Sequence, residues 1–210
     1  EVFGDIGIEG MTAGPSEVTI VADKTSNPEW IASDLIGQAE HDILAQCILI
    51  SKDKKILELI RKEIFKQLKL IPRSSIAKKS LMTNGILMNV SSDKKIIEII
   101  NKLGPEHLEI SIKNYKPFVS KIKNAGSVCL GKYGVMAMTD YGVPGTNHVL
   151  PTNSTSKYSS GLNVSEFMKR ISFITLSKKG IDKLGPSAIT LANYEGLSAH
   201  AESIIKRIRR

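Results

Sequence analysis

Two hydrophobic periods alternate along the first 130 residues of this 210-residue chain. Short apolar runs rich in β-branched residues indicate buried strands, and longer stretches with an apolar residue every three or four positions indicate amphipathic helices. The predicted strands are 18–22, 46–51, 86–90, 108–112 and 127–130. The predicted helices are 28–41, 54–70, 74–82, 93–103 and 115–124. This alternation predicts an α/β fold, an incomplete Rossmann-like, mostly parallel sheet with helices on both faces.

The pattern changes after Leu150, where residues 151–161 are rich in Pro, Asn, Ser and Gly, as in a linker. A helix at 164–169, a strand-like segment at 171–176 and three short helical pieces are predicted beyond it. These pieces are too short to enclose a core, so we expect a mainly helical arm that packs on another subunit. The predicted division is a lead-in segment 1–15, an α/β domain 16–150, and a linker and arm 151–210.

Charge and composition narrow the classes of partner. The net charge is +8, but the excess is mostly lysine scattered in pairs along helical stretches, and aromatic residues make up only 5%. Scattered lysines are typical of solvated faces, whereas nucleic-acid readers favour arginine forks and stacking aromatics. We therefore expect no nucleic-acid partner, although the basic tail 205–210 would be its best foothold.

Cys47 and Cys129 both lie inside apolar runs, which is typical of small buried side chains in a reducing compartment. No run approaches the roughly 18 to 20 apolar residues of a membrane span, and no signal-peptide pattern opens the sequence. We expect a cytoplasmic protein without membrane contact.

Each of the four histidines has a carboxylate or carboxamide within five residues, which favours metal binding or proton transfer. Gln38 and His41 are three apart at the end of a predicted helix, so both can face one ion. Alternatively, His41 caps the helix dipole. Glu106 and His107 follow a Gly-Pro turn that can present acid and imidazole together, or they form an ordinary surface turn.

Three further segments carry candidate chemistry. The loop from Asp140 to His148 can supply an oxygen ligand and a substrate contact, or it can be a plain connector. Glu195 and His200 flank Gly196 at a predicted corner between helices, which can equally be a simple helix junction. Ser16 ends a tight Ala-Gly-Pro-Ser turn that can present a hydroxyl. The sequence has no Gly-x-Gly-x-x-Gly fingerprint and no Walker A run.

Five of these segments, in this order and spacing, resemble the C-terminal half of histidinol dehydrogenase. They are Ala-Gly-Pro-Ser-Glu-Val at 13–18, Asp-Leu-Ile-Gly-Gln-Ala-Glu-His-Asp at 34–42, Gly-Pro-Glu-His-Leu-Glu at 104–109, Gly-Thr-Asn-His-Val-Leu-Pro at 145–151 and Glu-Gly-Leu-Ser-Ala-His at 195–200. The resemblance implies a zinc enzyme that oxidises L-histidinol through histidinal to L-histidine with two NAD, the last steps of histidine biosynthesis.

The resemblance also implies a role for each site residue. The residues that resemble the zinc ligands are Gln38, His41, Asp140 and His200. Glu106 and His107 resemble the proton-transfer pair, with His107 as base for the alcohol and Glu106 as base for the water. The residues that resemble substrate contacts are Ser16, His148 and Glu195, together with His107 and the four zinc ligands.

The family resemblance further implies a homodimer in which the segment bearing Glu195 and His200 crosses to the partner subunit. It also implies that most NAD contacts belong to an N-terminal half that this sequence lacks. We therefore expect a fragment or one piece of a split enzyme, weak or inactive alone. Two rival interpretations are a paralogous dehydrogenase of another amino alcohol or diol, and an inactive metal-binding module.

Overall fold

Five parallel strands form the sheet of the computed structural model, which describes residues 14–143 and 145–208. They are β1 Glu17–Ala22, β2 Gln46–Ser51, β3 Ile86–Asn89, β4 His107–Ser111 and β5 Ser127–Leu130. Their order is β3-β2-β1-β4-β5, and every neighbouring pair is parallel. The predicted α/β class is confirmed. Most of the predicted lead-in segment and the end of the basic tail lie outside the described residues.

Helices cover both faces of the sheet, as the alternating pattern predicts. They are α1 Pro28–Ala39, α2 Lys54–Gln67, α3 Ser74–Asn84, α4 Asp93–Leu103, α5 Lys116–Val119, α6 Met136–Asp140, α7 Lys178–Tyr194 and α8 Ser198–Ile208. Successive residues of β1 point to opposite faces, so Ile20 packs with α1 and α2 while Val21 packs with α4 and α5. Each face of the sheet therefore has its own hydrophobic core.

Local caps fix the starts of the helices that frame the sheet. Asn27 accepts a hydrogen bond from the Glu29 N–H at the start of α1, with Pro28 as the first helical residue. Asp53 and Ser92 cap α2 and α4 in the same way. α4 ends at Gly104, whose left-handed φ of 59° turns the chain towards β4.

Gly104→Ala is expected to lower the free energy of unfolding by about 2–3 kcal/mol, because an L-residue is strained in the left-handed region and the added Cβ is crowded. That Cβ would lie 2.8 Å from the Ser156 Oγ. Gly37→Ala is the control: nothing lies within 4 Å of its Cβ on α1, so it should stabilise by about 0.5–1 kcal/mol. Urea unfolding of both variants measures the difference. An unchanged midpoint for Gly104→Ala would contradict the argument.

Two predicted elements of the first 150 residues are wrong. The helix predicted at 115–124 is only Lys116–Val119, because the Asn101 side chain bonds the backbone of the following turn, donating to the Lys121 carbonyl and accepting from the Lys123 N–H. The segment that begins at Asp140 is not all loop, since Asp140 is the last residue of α6.

The predictions beyond residue 160 are also partly wrong. The helix predicted at 164–169 is a single 3-10 turn, Val164–Phe167, and residues 171–176 are exposed and form no strand. The three short helical pieces are two helices, because α7 continues through Pro186. α7 ends as predicted, with Gly196 at φ 74° just beyond its C-cap Glu195. α8 begins at Ser198, and Leu197 accepts its first backbone hydrogen bonds.

The chain divides into two compact units, Glu1–Phe167 and Met168–Arg210. In the second unit α7 and α8 pack closely where α7 has Gly185: a Cβ there would lie 2.6 Å from the Ile208 Cδ1. Several apolar side chains of this unit are exposed, among them Phe173, Leu184, Leu191 and Tyr194. Among the described residues, the longest helix is the 17-residue α7, and none has the length and hydropathy of a membrane-spanning helix.

Candidate functional site

The candidate residues of the first unit meet at the amino edge of the sheet. His107 is the first residue of β4, where it pairs with Val18 on β1 and Ser127 on β5. α1 runs back to this edge and ends just after Gln38, and α6 brings Asp140 beside His107. Parallel sheets more often bind ligands at their carboxyl edge, so strand order alone would have indicated the wrong end.

Glu106 and His107 are buried, with 7% and 5% of their surfaces exposed. The alternative that they form a surface turn is therefore wrong. The Glu106 Oε2 accepts a hydrogen bond of 2.8 Å from the Glu17 N–H, and its Oε1 lies 3.7 Å from the His107 Nε2. The Gly-Pro turn before β4 thus places a carboxyl and an imidazole side by side, as the sequence predicts.

Asp140 links this pair to the exposed face of the site. Its Oδ1 lies 3.3 Å from the His107 Nε2 and 3.9 Å from the His148 Nδ1. The Asp140 side chain is largely buried, whereas that of His148 is 68% exposed. A small molecule arriving from solvent would therefore meet His148 before it reached Asp140 and His107.

Burial shifts the pKa values of the catalytic candidates in opposite directions. It raises the pKa of Glu106 to about 7; the Glu17 N–H opposes this, and the carboxyls of Glu17 and Asp140 add to it. Burial lowers the pKa of His107 to about 4. The Asp140 carboxylate raises this pKa, and the neighbouring His148 and His41 lower it further. Near neutral pH His107 is therefore an uncharged imidazole, and Glu106 can both hold and release a proton.

The buried polar atoms of this edge suit a metal ion. Gln38 is 1% exposed, and neither its Oε1 nor its Nε2 has a hydrogen-bond partner. The Asp140 Oδ1 also has none. Buried amide and carboxylate atoms are costly when unpaired, so these two side chains are candidates to hold a ligand. His41 lies just beyond α1, exposed but near enough to His107 to affect its pKa.

Within the described ranges, no three His, Cys, Asp or Glu side chains form a metal cluster. This is consistent with the predicted ligand set: one of the four ligands is an amide, Gln38, and another, His200, lies in the second unit. The first unit therefore contributes only His41 and Asp140 of those residue types.

The remaining predicted site residues lie in two places. Ser16 is half-buried just before β1, at the amino edge, where its carbonyl accepts from the Gln46 N–H. Glu195 and His200 lie in the second unit, Glu195 as the C-cap of α7 and His200 in the first turn of α8. Both are exposed.

Residues 152–154 form a strap that is hydrogen-bonded to residues at the amino edge of the sheet. The sequence analysis predicted only a linker for these residues. Thr152 accepts from the Gly14 N–H at 2.7 Å, and the Asn153 N–H donates to the Glu17 carboxyl at 2.9 Å. The Ser154 hydroxyl donates to the Leu103 carbonyl. Because the Glu17 N–H also holds Glu106, the strap supports the Glu106–His107 pair. Its hydrogen bonds join residues far apart in sequence, so no local pattern could indicate them.

Sequence reasoning also assigned no role to Glu109. It stands on β4 with 1% of its surface exposed, and its Oε1 accepts a 2.7 Å hydrogen bond from the Met136 N–H. The available signal was a carboxylate in the middle of an apolar strand, since such groups are rarely buried without a specific partner.

Comparison with known proteins identifies the family of this chain. The sequence model of the histidinol dehydrogenase family matches residues 1–208. The histidinol dehydrogenase of Pelagibacter ubique is 72% identical over 210 residues, which are all of this chain and 49% of that protein. That of Listeria monocytogenes (strain EGD-e) is 47% identical over 204 residues, 97% of this chain and 47% of that protein.

A solved structure gives the same result. The crystal structure of histidinol dehydrogenase from Elizabethkingia anophelis superposes with a TM-score of 0.86 at 39% identity, covering 95% of this chain and 46% of that one. The chain thus spans about half the length of the relatives it matches. The family match over nearly every residue, the shared fold and the buried Glu-His pair together show that the chain belongs to the histidinol dehydrogenase family.

Proposed function

We propose that this chain supplies the catalytic and metal-binding part of a zinc-dependent L-histidinol dehydrogenase, which oxidises L-histidinol through histidinal to L-histidine with two NAD. The observation that carries the proposal is the buried Glu106–His107 pair beside Asp140. The family match supports the substrate.

His107 is the proposed base of the first oxidation. Loss of a hydride from an alcohol requires a base for the hydroxyl proton. The lowered pKa of His107 keeps its imidazole uncharged at neutral pH, so it is free to accept that proton. The nearby Asp140 carboxylate, 3.3 Å from the Nε2, favours the imidazolium once it forms.

Glu106 is the proposed base of the second oxidation, in which a water must add to the aldehyde carbonyl before the second hydride leaves. Its pKa of about 7 lies near the operating pH, which suits a group that takes and returns a proton. The Glu17 N–H fixes one carboxyl oxygen and leaves the Oε1 directed towards His107.

Gln38, His41, Asp140 and His200 are the proposed zinc ligands. The unpaired buried atoms of Gln38 and Asp140 support the assignment. When bound, zinc would orient the substrate through its imidazole and amino nitrogens, a template role. Ser16, His148 and Glu195 are proposed to contact the substrate as well, with the Glu195 carboxylate suited to its amino group.

NAD is the proposed hydride acceptor, but we assign none of its contacts to this chain. In the Rossmann manner of binding, glycines in the first strand-to-helix turn let the pyrophosphate approach the backbone. Here that turn is residues 23–27, which include no glycine, and the Asp23 carboxylate accepts from the Thr25 N–H. The family resemblance places most NAD contacts in the other half of the enzyme.

The proposed assembly is a homodimer whose site is shared between subunits. The exposed apolar side chains of the second unit support its packing on a partner subunit. Exposed Ile86 and Leu87 on the edge strand β3 support docking of the remaining half of the enzyme. Free buried Cys47 and Cys129 support a cytoplasmic location.

A chimera tests the proposal directly. This chain replaces the matching segment of the Pelagibacter ubique relative, with which it is 72% identical. With zinc, L-histidinol and NAD, the chimera should form NADH within about tenfold of the relative's kcat. The chain alone should form little or none. A folded, zinc-loaded chimera that does not oxidise L-histidinol would contradict the proposal. Oxidation of a different amino alcohol instead would favour a paralogous enzyme.

A further inference from the structure

One buried carboxyl connects the three elements that carry the first unit's part of the site. Glu109 lies on β4 two residues after His107 and accepts the Met136 N–H, the first of α6, at 2.7 Å. The Asp34 carboxyl on α1 lies close enough to raise the pKa of Glu109, and the buried Glu109 Oε2 has no hydrogen-bond donor as a partner. The Glu109 side chain of β4 thus lies next to the start of α6 and next to α1.

The Glu109–Asp34 contact requires a proton between the two carboxyls, since two carboxylates offer acceptors only. Burial and the mutual repulsion of the pair raise the pKa of Glu109 to about 8, and burial raises that of Asp34 to about 6. Glu109 is therefore the protonated member near neutral pH. Its Oε1 accepts from the Met136 N–H, which leaves the buried Oε2 as the oxygen that would donate to Asp34.

The two partners of Glu109 each lie one helical turn from a proposed zinc ligand. Asp34 precedes Gln38 by four residues on α1, and Met136 precedes Asp140 by four residues on α6. Residues four apart on a helix share a face. The Glu109 carboxyl therefore lies between the two helices, one turn before each of these proposed ligands.

We propose that Glu109 is a positioning residue which, by bridging Asp34 and the Met136 N–H, holds Gln38 and Asp140 at the spacing that a zinc ion needs. This inference rests on the proposed zinc function. Partners behind a metal ligand orient it, and their loss typically weakens metal binding by about 10- to 100-fold.

The test compares conservative and disruptive variants of the full chain by zinc-chelator competition. Glu109→Gln can still accept from Met136 and donate to Asp34, and Asp34→Asn still offers an acceptor to Glu109. Both should keep zinc affinity within about threefold of the parent. Glu109→Leu and Asp34→Leu break the bridge from opposite sides, and each should weaken zinc binding by about 10- to 100-fold.

Amide hydrogen exchange of the metal-free chain gives a second readout. Glu109→Leu frees the Met136 N–H, so residues 136–140 should exchange faster, while Glu109→Gln should leave them protected. Circular dichroism identifies variants that remain folded. Should Glu109→Leu fail to fold, Asp34→Leu decides by the same measurements.

The outcomes separate the bridge from the zinc function itself. If the parent chain binds no zinc, the proposed function fails. If the parent binds zinc and a folded Leu variant binds it equally well, with unchanged exchange at 136–140, the bridge is refuted while the zinc function stands. Loss of zinc affinity in Glu109→Gln as large as in Glu109→Leu would also refute it, because the bridge survives in Gln.

Discussion

His107→Asn is expected to lower kcat for L-histidinol oxidation in the chimera by about 10²- to 10⁴-fold, the usual contribution of a general base. Asparagine keeps the polarity of the position but cannot take up a proton, and the buried start of β4 admits little bulk water to replace it. Stopped-flow measurement of NADH formation follows the first hydride transfer.

Comparison at saturating zinc distinguishes a lost base from a weakened zinc site. His107 is not among the proposed zinc ligands, but its Nε2 lies 3.3 Å from Asp140, so kcat is compared at saturating zinc, where an affinity weakened by about 10- to 100-fold has no effect. Lys79→Gln, an exposed change on α3, serves as the activity control. If His107→Asn turned over as fast as the parent, His107 could not be the base of the first oxidation.

Glu106→Gln is expected to affect the second oxidation selectively. The amide keeps the hydrogen bond from the Glu17 N–H but cannot accept a proton from water. With histidinal as substrate, kcat should fall by about 10²- to 10⁴-fold, while NADH formation in the first step should stay within about tenfold of the parent. The yield of NADH per histidinol in a single turnover shows whether only the first oxidation or both oxidations occur.

A matched control for this change is Glu98→Gln, which replaces an exposed glutamate of α4 that pairs only with Lys95 at 3.2 Å. It should leave both steps unchanged, because exposed ion pairs contribute little. Equal loss of both steps in Glu106→Gln would show that Glu106 does not act on the water alone, and no loss in either would exclude it as a catalytic base.

Local chemistry explains why much of the fold could be predicted from the sequence. The starts of α1, α2 and α4 follow from Asn27, Asp53 and Ser92, each of which caps its own helix. β1, β2 and β4 follow from short apolar runs that the sheet buries on both faces, whereas the edge strands β3 and β5 are partly exposed. Helix caps and apolar runs each involve only a few neighbouring residues, so both can be recognised in the sequence.

The errors occur where distant contacts override the local pattern. α6 is short and its first N–H is held by Glu109, 27 residues away in sequence. The end of α5 depends on Asn101, and the strap depends on the hydrogen bond between Asn153 and Glu17, 136 residues apart. Hydropathy cannot indicate such pairs, because each is made by one polar side chain and one backbone group.

In the candidate site, too, some residues could be predicted from local motifs and others depend on distant contacts. The motifs identified Glu106, His107, Asp140 and His148, and the structure brings these four together at the amino edge. The residues that support them are Glu17, through its backbone N–H, and Glu109, through its buried carboxyl, and only the fold reveals the partners of these groups. The motifs therefore named the candidate groups for the reaction, and burial gives the physical reason for the shifted pKa values of Glu106 and His107.

Zinc content of the purified full chain tests most directly the central proposal that Gln38, His41, Asp140 and His200 hold one zinc ion. The parent and the control Glu202→Gln, an exposed change two residues from His200 on α8, should each retain about one zinc per chain after gel filtration. His200→Asn should lose most of its zinc while the sheet of the first unit stays folded by circular dichroism. Full retention of zinc by folded His200→Asn would contradict the assignment of His200 as a ligand.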